Sequence, residues 1–179
     1  MAVADFLLRG KKDVSLAFFD HGTKTSEEAA TFVRDFSQSR GVRLLTGSVE
    51  RRRRTDESQE EYWREERYRF LFSLEGPVVT AHHLDDAVET WLFNSIHGKP
   101  RTIPYRNRNV VRPFLTTPKS ELVSWCQRKG LRWTEDASNS DVAYMRNLIR
   151  HQIVPGALQV NPGLRTVVRK MYSKVVDSQ

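Results

Sequence analysis

Three short apolar runs, each handing over to a segment of helical period, constrain this chain more than any other feature. They are VSLAFF (Val14–Phe19), VRLLTGSV (Val42–Val49) and PVVTA (Pro77–Ala81). Near-continuous apolar runs of about four to eight residues suit strands buried on both faces and are too short for independent helices. Between the first two runs, Thr25 and Glu28 have the spacing of a capping box. Ala29, Phe32, Val33 and Phe36 follow at helical intervals, and Gly41 supplies a stop. Further helices are predicted over Gln59–Leu74 and over HHLDDAVETWLFNSI (His82–Ile96). Strands alternating with helices argue for an α/β fold around a parallel sheet, with right-handed crossovers placing helices on both faces.

The remainder reads as helices and links. MAVADFLLRG sets Val3, Phe6 and Leu7 at helical spacing with Gly10 as stop, ahead of the first apolar run. A chain of this class ordinarily begins with a strand, so a first strand is expected before Met1. Residues 97–109, rich in Arg and Pro, predict a long loop, and VVRPFL (Val110–Leu115) a strand or extended link. TPKSELVSWCQRKG predicts a helix capped by Thr117 with Pro118 at its first position. AYMRNLIRHQIV predicts another, ended by Pro155, and a last helix runs over Pro162–Val176 with Asn161 as cap. No apolar run approaches the roughly 20 residues of a membrane span. The single cysteine, Cys126, excludes an internal disulfide framework and any CxxC site, and with no signal peptide this predicts a reducing, cytoplasmic setting. A net charge of +7 leaves two readings open, a polyanionic partner such as nucleic acid or simply a basic protein.

Four stretches could carry chemistry. TAHHLDDAVET places His82, Asp85, Asp86 and Glu89 where a strand hands over to a helix, the edge at which open α/β sheets bind ligands. Aspartate at a helix start also caps amides, but two His and two Asp within five residues exceed what capping needs. A carboxylate there, Asp86 foremost, could hold Mg²⁺ through water. In YMRNLIRHQIVP, Arg146 and Arg150 stand four apart, as do Asn147 and His151. Like charges at that spacing repel unless an anion lies between them or each is paired elsewhere. In YWREERYRFLF, Arg64 and Arg67 share a helical face, with Glu65 and Glu66 as alternative internal partners. Finally, Arg51, Arg52, Arg53 and Arg54 form one run, while Arg101, Arg106 and Arg108 surround Tyr105, a stacking platform for an unpaired base. Such runs are also common in solvated loops.

Together these stretches resemble, in order, the catalytic domain of the tRNA(Ile)-lysidine synthase family of N-type ATP pyrophosphatases. FDHGTKTSEEA, REERYRFL, AHHLDDAVET, VVRPFL, EDASNSD, YMRNLIRHQIVP and NPGL match its motifs in sequence order. The resemblance implies a Rossmann-like α/β domain over 1–155 and a C-terminal helix over 156–179. It implies ATP and Mg²⁺ as cofactors, with a tRNA(Ile) bearing a CAU anticodon and free lysine as partners. ATP would adenylate C2 of the wobble cytidine and lysine would then displace AMP. Carried over by motif, His82, Asp85, Asp86 and Glu89 line the ATP and metal site. His21, Arg64, Arg67, Arg146, Asn147 and Arg150 contact phosphates or the tRNA. The family's phosphate-gripping S-G-G-x-D-S loop has no counterpart in these residues, and Ala81 stands where the family usually has Gly. The loop is therefore expected from upstream codons or from a second chain. Otherwise the protein is a non-catalytic nucleic-acid or partner-binding module.

Overall fold

Leu16–Asp20 (β1) and Leu44–Ser48 (β2) pair in parallel, with Leu16 opposite Leu44 and Asp20 opposite Ser48. This is the parallel arrangement that strand–helix alternation predicts, the connection being helix Lys24–Arg40 (α2). The computed structural model describes residues 1–10, 13–133 and 145–176. By its contacts the chain divides into two units, Met1–Val78 and Val79–Gln179. The EDASNSD stretch lies outside the described residues.

In the first unit, α2 starts earlier than the spacing of Thr25 and Glu28 suggests. Gly22, with φ +71°, donates its N–H to Asp20 Oδ1 at 2.7 Å, and this tight turn delivers Thr23 to the mouth of the helix. Thr23 and Ser26 then form the capping box, their hydroxyls 2.8 Å apart, and Thr25 falls inside the helix. Gly41 ends α2 in the left-handed conformation, as expected. Helix Gln59–Ser73 (α3) is capped by Ser58, whose hydroxyl accepts the Glu61 N–H at 3.1 Å. It packs on β2 through a close approach: a Cβ at Gly47 would overlap the Phe70 ring. The opening helix, Ala2–Arg9 (α1), buries Asp5 completely, with Arg9 at 2.7 Å and Arg40 at 3.1 Å from its carboxylate.

In the second unit, Val78–Val79 (β3), Val110–Val111 (β5) and Arg106–Asn107 (β4) form a small sheet in the order β3, β5, β4. The segment expected to be a loop thus holds half of an antiparallel hairpin, with Arg106 opposite Val111 and Asn107 opposite Val110. Arg108 takes φ +53° at its turn. Two polar residues are too short a strand to leave an alternation in the sequence. Helix Leu84–Ile96 (α4) buries Leu84, Ala87 and Val88 against Leu164, Val168 and Tyr172 of helix Leu164–Val176 (α8), with Ile103 and Leu115 closing the cluster. Both stripes keep the spacing of one helical face. Tyr172 also donates its hydroxyl to the Ile103 carbonyl at 2.9 Å.

Three further boundaries differ from expectation. Helix Lys119–Arg128 (α5) takes Pro118, not Thr117, as its N-cap. The last helix starts at Leu164, because the Asn161 side chain accepts the Gly163 N–H at 2.9 Å and folds Pro162 and Gly163 into a turn. Pro155 does not end its helix. Met145–Leu148 (α6) runs through a π turn, Ile149–Ile153, into Val154–Val160 (α7). The wide turn dispenses with the α-type bond that proline cannot donate. No helix among the described residues is long and apolar enough to cross a membrane.

Candidate functional site

The start of α4 is built by its own motif. His83 is the N-cap: its N–H donates to Asp86 Oδ2 at 2.9 Å, and its ring Nδ1 lies 3.3 Å from the Asp86 N–H. His82 pairs with the Thr80 hydroxyl at 2.9 Å. Capping therefore accounts for one oxygen of Asp86 and leaves the other, Oδ1, for a partner.

That partner comes from the α6 segment and the π turn. Arg146 Nη2 lies 3.3 Å and Arg150 Nη2 3.7 Å from Asp86 Oδ1. Glu89, one turn along α4 and 5% exposed, receives both Nε and Nη2 of Arg150, at 2.7 and 3.1 Å. Arg146 Nε stands 3.6 Å from the same carboxylate. The Glu89 hydrogen bond leads the causes that raise the Arg150 pKa above its ordinary value, with burial opposing. The two readings of the arginine pair thus meet in one arrangement: both arginines are paired, and the anions beside them are the protein's own carboxylates. Asn147 is buried in the same segment.

Asp85 turns the other way. Its Oδ2 accepts the Lys119 N–H at 2.8 Å, at the start of α5, and its Oδ1 accepts Arg165 of α8 at 3.1 Å. Burial raises the Asp85 carboxyl, but the amide and the guanidinium outweigh it and hold the group below its ordinary value. Asp85 and Asp86, adjacent in sequence, therefore have separate duties. Asp85 ties α4 to α5 and α8, while Asp86 faces the arginines. No sequence signal pairs Arg165 with a residue eighty positions earlier.

The cluster holds three carboxylates (Asp85, Asp86, Glu89) and three guanidiniums (Arg146, Arg150, Arg165), a balanced set. Guanidinium groups bind carboxylate and phosphate in the same forked geometry. Among the described residues, no group of three or more His, Cys, Asp or Glu is arranged to hold a metal ion. Mg²⁺ needs no such cage: it keeps several waters and takes one or two carboxylates beside phosphate oxygens. Asp86 Oδ1 would take that limited role only in exchange for its contacts with Arg146 and Arg150.

The other predicted residues divide between the units. In the first, His21 packs against Trp63 of α3, ring centroids 5.5 Å apart, and against Phe19 at 5.1 Å. Burial, then the positive charge of Arg67, lowers the His21 pKa. His21 and the R-x-x-R helix are thus neighbours. Arg64 and Arg67 lie 5.0 and 5.9 Å from the Tyr68 ring centroid. Glu65 and Glu66 turn to Arg51, Arg54 and Arg69.

The four consecutive arginines are not equivalent. Arg51 is an internal latch, 2.5 Å from the buried Glu57, 3.1 Å from the buried Glu66 and 4.8 Å from the Tyr62 ring centroid. Its hydrogen bond draws the Glu57 pKa down to about 2. Arg52, Arg53 and Arg54 are exposed. In the second unit, Arg101, Arg106 and Arg108 are exposed and Tyr105 is half-buried.

Comparison with known proteins identifies the family. A family profile described as a PP-loop domain matches residues 2–157. The chain is 33% identical over 166 residues to a tRNA(Ile)-lysidine synthase of Nitrosomonas europaea, covering 86% of this chain and 36% of that protein. It is 30% identical to the Persephonella marina protein of the same description, covering 93% and 40%. For the Geobacillus kaustophilus one the figures are 33%, 86% and 37%. The chain thus spans about two fifths of the length of these curated relatives. Among solved structures, the U34-tRNA thiolase NcsA of Methanococcus maripaludis superposes with a TM-score of 0.72 at 12% identity, covering 98% of this chain and 67% of that one. At that identity the likeness concerns the fold.

Proposed function

The chain belongs to the PP-loop domain family, and from that premise we propose that it serves ATP-dependent modification of tRNA of the lysidine-synthase kind. The observation that carries this reading is the array in which Asp86 and Glu89 meet Arg146 and Arg150. Two guanidiniums one turn apart, held by the protein's own carboxylates, suit a nucleotide's phosphates, which bind guanidinium in the same forked geometry. The reaction is the one named for the relatives. ATP transfers AMP to the C2 oxygen of the wobble cytidine of a tRNA(Ile) with a CAU anticodon, and pyrophosphate leaves. The ε-amine of free lysine attacks C2, AMP leaves with the oxygen, and a proton is lost from the amine.

In this scheme Arg146 and Arg150 neutralise phosphate charge and Asn147 lies close by. His82 lies at the same strand-to-helix edge and Asp85 braces it. Mg²⁺, when bound, offsets phosphate charge at Asp86. In the first unit, His21, Arg64 and Arg67 are the residues proposed to contact phosphate or tRNA. Each unit carries its own RNA-facing residues, Arg52, Arg53 and Arg54 in the first, with Arg51 holding their loop in place, and Arg101, Tyr105, Arg106 and Arg108 in the second. The family's S-G-G-x-D-S loop has no counterpart in these residues, so activity is tested with such a segment supplied. A cytoplasmic location follows from a tRNA substrate.

The test is incubation of the chain with MgATP, lysine and tRNA(Ile)-CAU transcript, followed by mass analysis of the wobble nucleotide. A parallel arm adds a segment bearing S-G-G-x-D-S. Lysine incorporation in the supplemented arm is expected. Tight tRNA binding without ATP binding in either arm would favour the second reading, a non-catalytic RNA-binding module, to which the exposed arginines are equally suited.

A further inference from the structure

The helix carrying Arg146 and Arg150 runs straight into a proline. Ile153 and Val154 keep helical dihedrals, (−80°, −47°) and (−58°, −45°), so the backbone is helical across the junction. Val154 donates its N–H to the Ile149 carbonyl, five residues back, which is the π-type bond. In a regular α-helix the N–H of residue 155 would bond the His151 carbonyl. Proline has no N–H to give, and its ring crowds that carbonyl.

A π turn amounts to one inserted residue, and one residue rotates the rest of the helix by about 100° around the axis. Two sets of contacts depend on it, one made before and within the turn and one beyond it. Arg146 and Arg150 engage Asp86 and Glu89 of α4. Beyond it, Val154, Ala157 and Leu158 pack against the apolar cluster of Leu84, Val88 and Val168. A regular α-helix would turn one set away from its partners by that rotation whenever the other was seated. The wide turn satisfies both at once.

We infer that Pro155 is a positioning residue for the arginine pair: it keeps the Ile149–Ile153 turn wide, and thereby holds Arg150 on Glu89 while α7 stays on the core. This deepens the nucleotide reading above, and the use of the arginines for phosphate rests on that reading. Pro155 touches none of the reacting groups itself.

The experiment compares the native chain with P155A by two measurements. The first is the Arg150 side-chain Nε–Hε resonance in ¹⁵N-labelled protein, assigned by its loss in R150A. In the native chain this proton is hydrogen-bonded to Glu89 and exchanges slowly. In P155A, where alanine can donate to His151 and the turn can narrow, it is expected to broaden or vanish, with a melting temperature lowered by no more than the few degrees that loss of the Arg150–Glu89 pair accounts for. The second is MgATP affinity by calorimetry, expected to fall about ten- to a hundredfold, the scale of a small misplacement of a binding group. In an R150A background, P155A should then change affinity less than twofold, because the two act through one contact. An unchanged Arg150 signal in folded P155A overturns the inference. So does an equal loss of melting temperature on introducing P155A into the native chain and into R150A, which would make Pro155 a packing residue only. If the native chain binds no MgATP, the nucleotide reading fails, and the Arg150 resonance still decides the role of Pro155.

Discussion

Replacing Glu89 by Gln should weaken the fold and strengthen anion binding at the same time. Glu89 is 5% exposed and takes two hydrogen bonds from Arg150, at 2.7 and 3.1 Å, with Arg146 at 3.6 Å. Glutamine keeps the shape and one acceptor but loses the charge. A hydrogen bond to a charged group exceeds a neutral one by about 1 kcal/mol, so two bonds lose about 2 kcal/mol. Arg146 adds little, because its side chain is 40% exposed and solvent screens it. Some of the loss is offset because glutamine is cheaper to bury than a carboxylate. The net expectation is about 1–2 kcal/mol, or roughly 2–8 °C in Tm for a chain of this size. Urea unfolding with an unchanged m-value measures it. Freed of the Glu89 charge but still positioned by the wide Ile149–Ile153 turn, the arginines should bind pyrophosphate more tightly in the absence of Mg²⁺, by several-fold in calorimetry. A stability change under about 0.5 kcal/mol would mean that the pair does not form in solution. A stability loss accompanied by weaker pyrophosphate binding would refute the idea that carboxylate and phosphate compete for the same guanidiniums.

Other outcomes concern the first unit and the basic surface. Gly47→Ala should cost about 1–3 kcal/mol by overpacking, since the new methyl meets the Phe70 ring on a packed helix. Chemical denaturation checks this, and Phe70→Leu in the same chain should recover part of the loss. His21 is held neutral by burial and then by Arg67, so its folded pKa lies below the ordinary 6.5. The unfolded chain takes up that proton first as the pH falls. The stabilisation is therefore present above about 6.5 and lost below it. His21→Gln should flatten the drop in Tm between pH 7.5 and 5.5, and a parallel drop in both chains would reject the assignment. Binding to tRNA should weaken steeply with salt. Arg106→Ala with Arg108→Ala should reduce the slope of log K against log salt by about 1–2, as expected for two lost phosphate contacts. A flat salt response in the native chain would remove the case for a phosphate-tracking surface.

The class of fold and the order of its elements were legible in the residues alone. Short apolar runs and helical spacing are local signals, and β1, β2, α3 and α4 lie close to where those signals place them. The His-Asp segment was legible at the start of α4 for the same reason, because capping chemistry and strand-to-helix handover are written in consecutive residues. What each charge does was settled by packing in three dimensions. Asp85 and Asp86 are indistinguishable as neighbours in a string, yet one braces α5 and α8 while the other faces Arg146 and Arg150. Arg51 looks like its three neighbours until Glu57 and Glu66 close around it. Pro155 reads as a stop because a proline forbids one hydrogen bond. The helix continues because packing on both sides of the π turn favours a wider bond over a broken helix. Pairings between residues sixty to eighty positions apart leave no periodic trace in the chain, since they depend on how whole elements pack rather than on what adjoins them.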